Sequence, residues 1–164
     1  MTILVRAMII KGTLTNGKFN QQKNKTEYGV TCLIRDEAKT KICDIISNEI
    51  NILTEFNSAE KAELFANLNN KFKKSNNFDS DNFDTVISFY TQFAVAADFS
   101  ADPDVDDVQS GDTVIIRFTT KFGKTQVFGK NVCYVKMYPN AVKLEQHGKS
   151  LIDPFSGMSE GDVL

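Results

Sequence analysis

The sequence predicts a mainly β protein: a five-stranded barrel with a helical insertion after the second strand and a flexible C-terminal tail. Three observations predict it. Alternating apolar and polar residues recur near the N-terminus, in the middle and across residues 112–138, and period two belongs to a half-buried strand. Between residues 36 and 74 the apolar period lengthens to that of a helix. From about residue 150, Pro154, Gly157 and Gly161 interrupt any regular period. A chain of 164 residues is long enough for one domain with a real core, assigned to residues 1–149, with 150–164 as the tail.

The first strand is expected over residues 2–14, with Thr15, Asn16 and Gly17 as a turn signal and a polar, basic loop over 20–26. Tyr28, Val30, Cys32 and Ile34 share one face of a second strand. Ile42, Ile45, Ile46, Ile50, Leu53 and Phe56 then fall at helical spacing over residues 36–56. Asp36 and Glu37 suit the positive end of that helix. Asn57 precedes Glu60 by three residues, the spacing of a capping box, and opens a second helix with Leu64, Phe65, Leu68 and Phe72 on its apolar face. Residues 75–84 read as a polar loop, in which Phe78 and Phe83 either fold back onto the body or serve a partner. A third long strand is expected over 85–97, with Ile87, Phe89, Phe93 and Val95 inward and Ser88, Tyr90 and Gln92 on the wetter side. Residues 98–112 carry Pro103 and six aspartates and read as a solvated connection. The last element is a hairpin over 112–138 that turns at Gly123 and Lys124.

Charge is strongly segregated. Residues 1–35 carry six basic side chains and one acidic, and residues 113–149 carry seven and one. The helical middle, the 98–112 connection and the tail are acidic, so the net charge of −2 conceals two basic strand regions. Paired in one sheet, these regions present a basic surface suited to a polyanion. No apolar run approaches the ~20 residues needed to cross a bilayer, and the N-terminus lacks the pattern of a secretory signal. Cys32, Cys43 and Cys133 are odd in number and scattered, as expected of reduced thiols that pack as small apolar groups.

The chemistry of catalysis is sparse. Three dispersed cysteines and the single His147 do not make a zinc site or a histidine-based hydrolase, and no metal or cofactor is expected. The stretch 123–130 has five residues between its glycines, not four, and is followed by a strand, so it is not a phosphate loop. Asp102, Asp104 and Asp106 have calcium-loop spacing, but Asp107 and Thr113 stand where Gly and Glu are required. The same carboxylates support a rival reading, a magnesium-dependent nuclease. A second rival is a structural or interaction protein on the same scaffold, with its lysines simply solvated.

The tripeptide Phe-Gly-Lys occurs twice, at 122–124 and 128–130, within a hairpin of interleaved rings and lysines. A base stacks on a ring while a neighbouring ammonium holds its phosphate. The order of parts, the string Val108-Gln109-Ser110-Gly111-Asp112-Thr113-Val114 and the strand around Val127-Phe128-Gly129-Lys130-Asn131-Val132 resemble the single-stranded DNA-binding proteins of tailed phages, which have an OB fold. The resemblance spans about residues 1–150. It implies binding of single-stranded DNA without sequence preference during phage DNA replication and recombination, in the host cytoplasm and without catalysis. It also implies contact with replication proteins, a polymerase or a helicase-primase, through the tail, and leaves a homodimer open. It points to Phe122 and Phe128 as stacking residues, with Lys121, Lys124 and Lys130 on phosphates. The family tail is strongly acidic and ends in Phe, whereas this one carries Asp153, Glu160 and Asp162 and ends in Leu164. Adding the residues of the other strands, the expected stacking set is Phe122, Phe128, Tyr134 and Tyr90. The expected phosphate set is Arg6, Lys11, Lys121, Lys124, Lys130 and Lys136.

Overall fold

The computed structural model describes residues 2–75 and 83–148. The 150–164 tail and Phe78 lie outside them. The chain forms β1 (Thr2–Asn20), β2 (Lys25–Arg35), α1 (Asp36–Ile52), α2 (Ser58–Asn70), β3 (Lys73–Lys74), β4 (Phe83–Thr91), β5 (Ala96–Asp98), β6 (Thr113–Val127) and β7 (Lys130–Gln146). The strands join in one seven-stranded sheet of order β3-β4-β2-β1-β6-β7-β5, antiparallel except for the β5–β7 pair. The helical insertion follows the second strand as expected. Among the described residues the strand count is seven, not five: β3 holds two residues, too few to show a period, and the single strand expected over 85–97 is split into β4, which ends at Thr91, and β5.

Alternation explains the sheet. Ile3, Val5 and Ala7 of β1 are buried while Thr2, Leu4 and Arg6 face outward. The phase breaks where Ala7, Met8 and Ile9 are buried in succession, next to a register shift between Ile9 and Lys11. One core cluster joins sheet and helices: Ile42, Ile46 and Ile50 of α1 and Leu64 and Leu68 of α2 close over Val5, Ile34, Phe89, Phe118 and Val135. The rings of Phe89 and Phe118 lie 4.8 Å apart. The capping box is present, with the Asn57 side chain accepting from the Glu60 amide at 2.8 Å and Glu60 accepting from the Asn57 amide at 3.0 Å.

The pairings leave an open order, but the sheet curls. The Val95 amide donates to the Leu14 carbonyl of β1 at 2.8 Å, while the next three residues pair with β7. β4 and β7 are thereby brought near each other without forming a ladder.

Four further expectations are corrected. The hairpin turns at Phe128 and Gly129, not at Gly123 and Lys124, which sit inside β6 opposite Tyr134 and Cys133. Both turn residues have positive φ, +50° and +77°, as a two-residue turn between twisted strands requires. The signal at residues 15–17 marks a register shift within β1, and the chain reverses only after Asn20. Phe83 is not in a loop but buried at the start of β4, under the Arg35 guanidinium at 4.6 Å. The 98–112 segment is not uniformly solvated, because Asp107 and Asp112 are buried.

Candidate nucleic-acid interface

The near approach of β4 and β7 leaves an open groove of about 850 Å³. One wall is the end of β4 and the bend after it, Ser88 to Ala94. The floor and far wall are Thr119 and Lys121 of β6 and the run Lys136 to Asn140 of β7, with Lys71 at the end of α2. Among the described residues, three lysines and no carboxylate line it.

Local structure fixes each of these side chains. Lys121 stands opposite Lys136 in the β6–β7 ladder, and Thr119 stands opposite Tyr138, so all four share one face. Their strand neighbours Phe118, Val135 and Met137 face the core, which forces this row outward. Tyr90 is 43% exposed and its ring lies across Gly29 of β2, 3.2 Å from where a Cβ would stand. Its hydroxyl bonds the Glu27 carboxylate, which, with some burial, pushes the phenol up to about 12 and keeps it a donor. Ser88 meets Thr31 at 3.1 Å at the margin.

Phe93 is 78% exposed in the groove wall, although the strand period assigns it to the core. β4 ends at Thr91, whose hydroxyl accepts from the Phe93 amide at 3.3 Å. That bend breaks the alternation after Thr91, which is still buried, and turns the ring out. Lys71 and Tyr138 also line the groove without having been singled out. Tyr138 carried a signal, being in phase with Tyr134 and Lys136. Lys71 carried none.

The expected residues divide into three sets. Tyr90, Lys121 and Lys136 line the groove. Tyr134 adjoins it: the Lys136 ammonium sits 4.7 Å from its ring centre, and the ring covers Gly123. Lys11 is exposed on β1 opposite Thr31, near the Ser88 margin. Phe128 and Lys130 are exposed at the far end of the hairpin. The other three are engaged elsewhere. Phe122 packs against the core on the opposite face. Lys124 is held by Glu60 at 2.9 Å and by the Glu55 carbonyl at 2.7 Å. Arg6 makes a two-pronged pair with Glu145 at 2.6 and 2.9 Å, which holds the Glu145 carboxyl below its ordinary range.

Solved structures of similar shape settle the fold. The single-stranded DNA-binding protein of bacteriophage Enc34, in complex with single-stranded DNA, superposes with a TM-score of 0.55 at 12% identity, covering 92% of this chain and 89% of that one. The gp2.5 protein of bacteriophage T7, a single-stranded DNA-binding protein, gives 0.56 at 14% identity over 98% of this chain and 96% of that one. The fold is that of phage single-stranded DNA-binding proteins. A C-terminal truncation of the Enc34 protein gives 0.57 at 12% identity, over 91% of this chain and 87% of that one. No family model and no curated relative matches the sequence.

Proposed function

We propose that the protein binds single-stranded DNA without sequence preference, along the groove between β4 and β7. The curled sheet reads as an OB-like barrel, and the groove is its unpaired seam. One observation carries the reading: the exposed rings of Phe93 and Tyr90 and the ammonium groups of Lys121, Lys136 and Lys71 line one open trough with no carboxylate among the described residues of its lining. Every base has a π-face, and every nucleotide a phosphate, so rings and ammonium groups hold a strand without reading it. The shared fold with proteins that bind single-stranded DNA supports the same reading.

The protein acts by binding and not by catalysis. Among the described residues no three carboxylate, histidine or cysteine side chains stand close enough to hold a metal ion, which weakens the nuclease alternative built on Asp102, Asp104 and Asp106. The protein then protects single strands during phage DNA replication and recombination in the host cytoplasm. Residues 150–164 are the proposed contact for replication proteins.

The test is a titration of labelled oligo-dT, duplex DNA and RNA across a salt series. Phe93→Ala should weaken oligo-dT binding by ~1–3 kcal/mol at every salt concentration, the range for one stacked base. If Phe93→Ala and Tyr90→Ala both bind like wild type, the groove is not the site.

A further inference from the structure

We propose that the β6–β7 arm is a wedge for the junction between single-stranded and duplex DNA, with Phe128 stacking on the first base pair. The proposal rests on the single-strand reading above. Among the described residues, β6 pairs with β1 as far as Thr119, then continues with β7 alone to Val127. Eight further residues at ~3.4 Å each carry the arm roughly 27 Å past the edge of β1. α2 grips it at Lys124 and Cys133, and residues 125–131 beyond that grip are exposed.

The end of the arm is costly in the free protein. Phe128 is 102% exposed, and Val127 beside it is exposed as well. The φ of Phe128 is +50°, a region that Gly or Asn adopts readily and a bulky side chain does not. A ring both solvated and held in a strained backbone is a candidate for contact with a partner. Charge identifies the partner. Residues 120–137 carry Lys121, Lys124, Lys130 and Lys136 and no carboxylate; Lys124 is held by Glu60, and the other three, on the outward face, suit the arm to a polyanion.

The outward face of the arm supplies the path. Tyr138, the Lys136–Lys121 pair, Tyr134 on Gly123, and Val132 beside Thr125 follow one another from the groove toward the tip. A strand leaving the groove along this row meets Phe128 at its end. A two-residue turn is narrow and offers one apolar ring, the kind of side chain that enters and unstacks a base step.

The experiment uses a duplex with an oligo-dT tail and 2-aminopurine in the base pair at the junction. The variant is Phe128→Asn, which keeps the positive φ and removes the ring. Wild-type protein should raise junction fluorescence. The variant should need about ten-fold more protein for the same rise, while its affinity for free oligo-dT stays within about two-fold. Equal opening of the junction by both proteins overturns the wedge. An equal loss on free oligo-dT also overturns it, since Phe128 is then one more stacking platform. If wild type does not bind oligo-dT, the single-strand reading fails and the wedge with it.

Discussion

Asp107 is buried, yet its carboxyl lies below the ordinary range. Burial pushes the carboxyl up, but Thr13 and the amides of Leu14, Asn16 and Val108 donate to the ionised form and outweigh it. The group ties the acidic connection to the middle of β1. A depressed folded-state value means that the stabilisation is complete above the unfolded value of ~3.9 and is lost as pH falls through the folded one. Asp107→Asn should cost ~1.5–3 kcal/mol near neutral pH, because an amide places an N–H₂ among backbone donors. The variant should also lose less stability on acidification than wild type, which urea melts at pH 7 and pH 3 will measure. At this scale the sequence was partly legible. It marked residues 98–112 as acidic and broken, but a run of six aspartates does not say which carboxylate finds amides. Phe93 was misread for a related reason. Its phase matches Ile87 and Phe89, and it is turned out by the bend after Thr91, where the Thr91 hydroxyl accepts the Phe93 amide.

The hairpin of β6 and β7 is where sequence and structure part most at the level of elements. Two copies of Phe-Gly-Lys are equivalent as turn signals, and either one closes a hairpin on local grounds. The observed turn at Phe128 and Gly129 pairs β6 with β7 as far as Val127 and keeps Phe122 within β6, packed against the core with Phe118 and Val135. Tertiary burial decides between them. The long strands and both helices were legible because a period runs over most of their length, while β3 and β5 were too short to show one. The hairpin is held by α2 in a way no period announces. Glu63 accepts the Cys133 amide at 2.9 Å, and Asn67 one turn later donates to the Cys133 carbonyl, so the helix satisfies the outer edge of β7 in place of a strand. Glu60 both caps α2 and pairs with Lys124 across the hairpin. Replacing Glu63 and Asn67 together by Ala should therefore loosen the arm more than the body. The expected cost is ~1–3 kcal/mol. Amide hydrogen exchange should speed up at residues 130–135 and stay slow in β1 and β2. Uniform acceleration across the sheet would show that the two side chains do not act on the arm.

For the whole molecule, the question is how a protein of net charge −2 presents a basic groove. The answer is segregation by sheet position. The basic termini of the body supply β1, β2, β6 and β7, while much of the acid lies in the helices and the 98–112 connection. This was legible as charge blocks along the chain, and so were Tyr90, Lys121 and Lys136, whose strand phase puts them outside. The location of the groove was not legible, because it depends on the sheet curling until β4 meets β7, and that closure is set by Val95 reaching Leu14 and by three residues of β5. The arrangement makes a quantitative demand. Binding through phosphates releases counterions, so the logarithm of affinity should fall with the logarithm of salt at about −0.7 per phosphate engaged. Lys121 and Lys136 face each other across one rung, close enough to serve a single phosphate or two adjacent ones. Replacing both by Ala should shallow the oligo-dT slope by roughly 0.7–1.4. The Arg6→Ala slope should match wild type, since Glu145 already neutralises that guanidinium. A slope that responds to Arg6 but not to the lysine pair would move the phosphate track off the groove and onto the face of β1.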